Sequence, residues 1–388
     1  MEHVLEREQP EWPPAERRDA LPHNPAHRRA AGLNPGNRFE AHRFHHAEED
    51  RQHRHAETLA EGGDPNAAVR VPLQVIPDAT RRIIHRVEQT SDMPFDWTLN
   101  PYRGCEHGCI YCYARPYHEF LGYSSGLDFE TKIVAKHDAP ALLERELASP
   151  RWAGEPIVMS AITDVYQHLE AKLKLTRQCL QVLADCRQPV STMTKGALVL
   201  RDLDLWQQLA GHNAGRVTVT LVTLDEALAR ALEPRATSPA GRLGVIRKLS
   251  AAGVPVSVNV APVIPGLTDT EVPAILEAVA EAGARHVRWV MLRLPYQLKA
   301  LFLEWLGRNV HPERAKHIES RIRQMHEGKL YHAGPRRGRG NGPAAVQVAS
   351  LFEVFTRKHG LNRDGRALSS AAFRRPAASG RKGQMTLF

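Results

Sequence analysis

From about residue 71 onward, short β-branched runs alternate with longer stretches whose apolar residues recur three and four apart. The candidate strands are 97–102, 157–161, 190–194, 216–223, 254–260 and 286–292. Candidate helices lie at 176–186, from 202 onward, and at 242–252, 271–282 and 297–308. About six strand–helix units of this spacing predict a parallel sheet covered by helices. Right-handed crossovers would curl that sheet into a full or partial barrel. Chemistry in such barrels sits at the C-terminal ends of the strands, so polar residues there become candidates. Residues 311–333 and 344–362 predict two more helices outside the barrel.

Two regions break the pattern. Residues 1–70 are rich in Arg, His, Glu, Pro and Ala and poor in branched aliphatics, which predicts a disordered tail. Its His42, His45, His46, His53 and His55 could bind metal, but a solvated polar tail is the simpler reading. Between the last two helices runs Gly334-Pro335-Arg336-Arg337-Gly338-Arg339-Gly340-Asn341-Gly342-Pro343, a basic loop. It could grip phosphates or serve as a solvated linker. The expected organisation is a tail over 1–70, a barrel over 85–310, a helical extension over 311–365 and a flexible tail over 366–388.

Composition changes this picture modestly. With 42% apolar and 24% charged residues, the chain has the make-up of a soluble globular protein. No apolar run reaches the length of about 18 residues that a membrane helix needs. The first residues lack the apolar stretch of a secretion signal, so a cytoplasmic location is expected. A net charge of +9 favours an anionic partner such as nucleic acid, and also favours solubility. An odd count of five cysteines argues against a disulfide framework. Three of them crowd into residues 105–112, which argues for a metal site.

That segment reads Asn100-Pro101-Tyr102-Arg103-Gly104-Cys105-Glu106-His107-Gly108-Cys109-Ile110-Tyr111-Cys112-Tyr113, with C-x3-C-x2-C spacing. Thiolates are the usual ligands of iron–sulfur clusters. Three of them, Cys105, Cys109 and Cys112, can hold three irons of a [4Fe–4S] cube and leave the fourth iron open. Gly104 and Gly108 suit a loop wrapped closely around a cluster. A structural zinc site would need a fourth ligand, here His107 or His118. Cys179 and Cys186 fall on a predicted helix and read as small buried apolar residues.

The spacing, the aromatic residue before the last cysteine and the βα pattern that follows resemble the radical S-adenosylmethionine (radical SAM) superfamily over about residues 85–310. Within it the chain is most similar to the spore photoproduct lyase branch. The similarity lies in Tyr111-Cys112-Tyr113, Ser160-Ala161-Ile162-Thr163-Asp164, Met193-Thr194-Lys195, Leu232-Glu233-Pro234 with Arg242, and Pro262-Val263-Ile264-Pro265-Gly266. The resemblance implies a partial (β/α)6 TIM-type barrel and a reduced [4Fe–4S] cluster that binds S-adenosylmethionine. It also implies cleavage to methionine and a 5′-deoxyadenosyl radical, with electrons from an external donor. It places Tyr111 and Tyr113 beside the cofactor, and Ser160, Thr163 and Asp164 at its amino-acid or ribose portion. Lys195 would meet carboxylate or ribose oxygens, Thr220 the ribose, and Asn259 with Val260 the adenine.

Simpler readings stand beside these. Lys195 could be a solvated lysine and Thr220 an ordinary strand residue. Asp164 and Glu170 could cap a helix. Tyr102, Trp97 and Trp289 read as packing residues. Where the lyases carry a hydrogen-donating cysteine, this chain has Ala161, which separates it from thymine-photoproduct reversal. The substrate expected is still a nucleic acid or nucleotide, in DNA repair or modification. Radical modification of a peptide or small molecule, or a non-catalytic nucleic-acid-binding protein with a structural metal, are the alternatives.

The chain ends Gln384-Met385-Thr386-Leu387-Phe388 after a polar basic stretch. This resembles the short peptide by which bacterial repair proteins and polymerases bind the DNA sliding clamp, with Leu387 and Phe388 filling an apolar pocket. A preceding flexible segment would let it reach. A fluorescent peptide of about the last twelve residues is expected to bind clamp, and to lose affinity when both apolar residues become alanine. No binding at tens of micromolar removes the idea.

Overall fold

A computed structural model describes residues 30–39, 72–87, 95–334, 336–363, 365 and 367–377. The pentapeptide 384–388, the five tail histidines and most of the 1–70 segment lie outside these residues.

Among the described residues ten strands form two sheets: β1 Gln74–Pro77, β2 Ile84–Arg86, β3 Trp97–Leu99, β4 Tyr102–Arg103, β5 Lys132–Ala135, β6 Ile157–Met159, β7 Val190–Thr194, β8 Gly215–Thr220, β9 Val256–Val263 and β10 His286–Met291. The large sheet runs β10-β9-β8-β7-β6-β3-β2. Its β3, β6, β7, β8, β9 and β10 pair in parallel, and β2 adds an antiparallel edge to β3. Six parallel strands match the six expected units. The sheet stays open, with β10 at one end and β2 at the other, so the barrel is partial.

The helices explain themselves by spacing. Val272–Glu281 buries Val272, Ile275, Leu276 and Val279, one stripe of a 3.6-residue period. Leu175–Asp185 buries Thr176, Cys179, Leu180 and Leu183 in the same way, so Cys179 is a core residue. These stripes meet Val and Ile side chains from the sheet in one large core. Pro312–Met325 forms one outer helix within its expected span, and Gly342–Lys358 forms the other, starting two residues earlier than expected and taking Gly342 and Pro343 from the basic loop.

Three departures from expectation bear on the site. First, the strand expected over 97–102 ends at Leu99. The chain then crosses into a second, three-stranded sheet, where β4 pairs with β5. Tyr102 is fully buried there and its hydroxyl donates to Glu170 at 2.5 Å. Second, residues 30–39 dock on the body, although they belong to the segment expected to be a disordered tail. Ala30, Ala31 and Leu33 are buried in a second core with Cys109, Ile110, Tyr111 and helix Leu298–Asn309. Asn37 donates to the Glu119 carbonyl at 2.8 Å. Their small apolar residues fill a gap that local sequence does not reveal. Third, the basic loop is tied down where it is described: the Met291 amide donates to the Gly338 carbonyl at 2.9 Å. Arg339 lies 4.3 Å above the Trp289 ring, which stacks on Phe352 at 5.2 Å. No helix among the described residues is long and apolar enough to cross a membrane.

His118 packs between Tyr123 and Phe129, with ring centroids 5.3 and 5.7 Å away. Burial holds its imidazole near a pKa of about 4. Between pH 6.5 and that value the unfolded chain takes a proton that the folded chain refuses. Stability therefore falls as pH drops through this window, by up to about 3 kcal/mol from His118. Burial shifts His85, His168 and His326 in the same direction. Denaturant titrations of the cluster-free protein at several pH values should show this loss, and His118→Phe should make it shallower. An unchanged slope contradicts a neutral buried imidazole.

Candidate active site

The cysteine loop opens directly after β4 and is held from all sides. The Cys105 amide donates to the Phe129 carbonyl at 2.9 Å and the Ile110 amide to the Leu232 carbonyl at 3.0 Å. Arg115, fully buried, donates five hydrogen bonds. Its Nε reaches the Cys109 carbonyl at 2.9 Å, and its Nη2 reaches the Gly108 carbonyl at 2.8 Å and Glu130 at 2.6 Å. Nη1 closes on the carbonyls of Ser125 and Gly126 at 3.1 and 2.8 Å. Glu130 also accepts the Ala31 amide at 3.1 Å, which links the docked 30–39 segment to the loop.

Gly104 and Gly108 sit at φ +78° and +65°, in the left-handed region. A Cβ on Gly108 would lie 2.6 Å from the Glu130 carboxylate, so glycine is required there by conformation and by space.

The strand ends converge on the loop. Lys195 follows the end of β7, Ser160 follows β6, and Thr220 pairs in register with Asn259 across β8 and β9. Asp164 is the hub. It accepts the Thr194 hydroxyl at 2.7 Å and the Lys195 amide at 2.8 Å, and faces His107 Nδ1 at 3.1 Å. Burial raises its pKa, but His107 and these donors outweigh burial and hold it at about 2. Thr163 donates to the Gly104 carbonyl at 2.6 Å. Ser160, at φ +83°, places its hydroxyl 2.7 Å from the Thr163 carbonyl and 2.6 Å from that of Met193. These side chains are engaged with the protein and tie the strand ends to the cysteine loop. Glu170 accepts the amides of Thr176 and Arg177, at 2.9 and 3.2 Å, and so caps the helix that follows.

A second charged group lies behind Cys109. Glu233 accepts hydrogen bonds from the Tyr111 hydroxyl and Arg242, and Lys195 Nζ lies 3.9 Å from it. Burial raises the Glu233 pKa, but Arg242 and Lys195 bring it below its usual value. Burial lowers that of Lys195, yet Cys109 and Glu233 keep it raised, so Lys195 is a fixed cation. Arg242 also donates to the Thr220 carbonyl at 3.0 Å, and Asn259 Nδ2 lies 3.3 Å from the Met193 sulfur. Val260 is buried in the main core. Tyr113 donates to the Ala161 carbonyl at 2.5 Å, and Arg293 lies 5.3 Å above its ring.

The thiols themselves ask for a cationic partner. Burial pushes the Cys109 thiol up to about 12, and Cys112 adds to the shift. Cys105 is raised by burial, by Asp164 and by the other two cysteines. Three thiolates cannot gather there unless an electron-poor centre shares them. Among the described residues no three Cys, His, Asp or Glu side chains gather tightly enough for a single metal ion. His107 instead faces Asp164, and His118 lies among aromatic rings. The donor set fits a cluster better than zinc.

The "Radical SAM superfamily" description matches residues 99–279, which span the cysteine loop and β3 to the helix after β9. The chain belongs to the radical SAM superfamily. It is therefore a radical SAM enzyme, and the superfamily uses a [4Fe–4S] cluster and S-adenosylmethionine. An uncharacterised protein of Mycobacterium tuberculosis is 38% identical over 254 residues, covering 65% of this chain and 72% of that one. A "Radical SAM Nalpha-GlyT isomerase" of Pseudomonas phage M6 is 24% identical over 218 residues, 56% of this chain and 43% of that one. Spore photoproduct lyase complexed with dinucleoside spore photoproduct shares the fold, with a TM-score of 0.55 at 14% identity, over 80% of this chain and 92% of that one.

The sequence brought out the cysteines and the strand ends but not Arg115, Glu130 or Arg293. The signal for Arg115 was an arginine three positions after the last cysteine, inside a segment with little polar competition. Arg115→Met removes all five donors and leaves Glu130 buried without its ion-pair partner. The expected cost is about 3–5 kcal/mol, with iron bound per chain falling in parallel. Wild-type iron content in a folded Arg115→Met protein contradicts the role given to this pair.

Proposed function

We propose that the enzyme abstracts hydrogen from a nucleic acid or nucleotide, in DNA repair or modification, with Cys105, Cys109 and Cys112 as the three cluster ligands. The observation that carries the reading is one tight loop with Cys105, Cys109 and Cys112, bound to the strand ends through Thr163 on the Gly104 carbonyl, with Lys195 3.9 Å from the Glu233 that holds Tyr111. Loaded there, the cluster would supply the electron that splits S-adenosylmethionine into methionine and a 5′-deoxyadenosyl radical.

The chain's own residues bind, orient and exclude water. Lys195 offers a cation to the cofactor's anionic or ribose oxygens. Tyr113 covers the cluster side of the pocket, held by the Ala161 carbonyl. Tyr111 is held back by Glu233 and packs the loop from behind. Thr220 and Asn259 stand in register at the ends of neighbouring strands, which suits contact with the nucleoside portion. The buried surroundings keep solvent from a reactive radical. The net charge of +9 supports a polyanionic substrate. The dinucleoside bound to the structurally similar lyase supports a substrate built from nucleosides. With Ala161 at the β6 end and Cys179 buried in the core, the proposed reaction does not return hydrogen from a thiol at the second strand.

Reconstituted without oxygen and reduced by an external donor, the protein should show a [4Fe–4S] spectrum and release 5′-deoxyadenosine. Alanine at any of the three cysteines should abolish both. Deuterium from a labelled oligonucleotide should appear in the 5′-deoxyadenosine. Colourless protein with one tightly held zinc ion overturns the enzyme reading, and transfer only from a labelled peptide overturns the substrate.

A further inference from the structure

We infer that a ribbon of alternating arginine and aromatic side chains, from Tyr113 beside the cysteine loop out to Phe120 at the surface, is the track for a single strand of nucleic acid. The inference rests on the nucleic-acid reading above and adds where and in what form the polymer binds.

The ribbon has an inner and an outer group of contacts. Arg293, just past the end of β10, lies 5.3 Å above the Tyr113 ring. Tyr331 accepts a hydrogen bond from Arg337 and lies within electrostatic reach of Arg293 and Tyr296. The Arg38 guanidinium is 4.0 Å from the Tyr296 ring, 4.7 Å from Phe39 and 5.3 Å from Phe120. Phe39 and Phe120 lie 4.9 Å apart, and Tyr117 is 6.3 Å from Phe120. At the outer end these rings face solvent, Phe120 at 64% exposure and Phe39 at 57%. Tyr296 holds φ +52°, a conformation bulky residues rarely adopt.

Charge is in surplus at the inner end of the ribbon, whereas Arg38 at the outer end is paired with Glu119. Arg293 has no carboxylate partner among the described residues. Lys299 and Lys329 lie within electrostatic reach of each other at its side. The acids nearby are engaged: Glu119 pairs with Arg38 at 3.1 Å, and Glu327 faces His332 at 3.7 Å.

Flat rings at the surface stack bases only when those bases are unpaired, and interleaved cations follow the phosphates of the same strand. A duplex offers the rings nothing, and a peptide lacks both the repeating anion and the repeating flat face. The inner end at Tyr113 adjoins Cys112, so a nucleotide on this track is led toward the cluster loop.

Fluorescence anisotropy on the full-length protein tests this, with labelled DNA and RNA strands of about twelve nucleotides, the matching duplex and an acidic peptide as probes. A single strand should bind at least about tenfold more tightly than duplex. Phe120→Ala should weaken it about tenfold with the salt slope unchanged. Arg293→Ala should weaken it and reduce the slope by about one. Circular dichroism confirms that both variants are folded. Comparison of the DNA and RNA arms identifies the polymer. Tight strand binding that neither variant alters overturns the track and leaves the proposed substrate standing. No binding of any nucleic acid, or preferred binding of the peptide, overturns the substrate reading itself.

Discussion

The buried ion pair between Arg115 and Glu130 is the constraint on which the site depends. A loop bearing three cysteines has many free carbonyls and few side chains to pack, so it cannot hold a shape by hydrophobic burial alone. Arg115 solves this by binding the Gly108 and Cys109 carbonyls and two more from the following turn. Glu130 neutralises it and also anchors the amide of Ala31. Two buried charges are costly to desolvate, and this pair fits because almost every donor and acceptor finds a partner. The result is a preorganised cradle rather than a stable core element.

The second determinant is the charge balance behind Cys109. Glu233 alone would oppose thiolates, and Arg242 with Lys195 alone would over-stabilise them. Together they place a network with one surplus positive charge against the loop, with Tyr111 bridging loop and network. On the other side, Asp164 joins β7, the 160–164 turn and His107 into one rigid unit. The polar residues that crowd the strand ends are thus of two kinds. Some, such as Thr163 and Asp164, bond to the protein around them, while Lys195 keeps its charge beside Glu233.

The open sheet completes the design. A closed barrel would present only its rim, whereas here the sheet ends at β10, whose outer side is covered by hydrogen bonds to Gly338 and Asn362, and the chain then leads outward through Arg293 and Tyr296. Ala161 follows β6, so the residue at that strand end brings no thiol, and a shared fold does not by itself carry a shared reaction.

Much of this was readable in one dimension because its physics is local. The period of two in the strands and of 3.6 in the helices located all six parallel strands, and the C-x3-C-x2-C spacing singled out the cysteine loop. Residues such as Val190 to Thr194 declare themselves by their neighbours. Arg115 with Glu130, Asp164 with His107, and Arg38 with Tyr296 do not, because each pair is made by segments far apart in the chain. The same holds for residues 30–39: a polar, proline-rich context reads as tail, and only the gap beside helix Leu298–Asn309 makes it structure. Local pattern therefore determined the elements and the cluster loop. Tertiary packing alone decided which charges are neutralised and which, like Arg293, remain to meet a ligand, since Coulomb pairing depends on distance in space and not along the sequence.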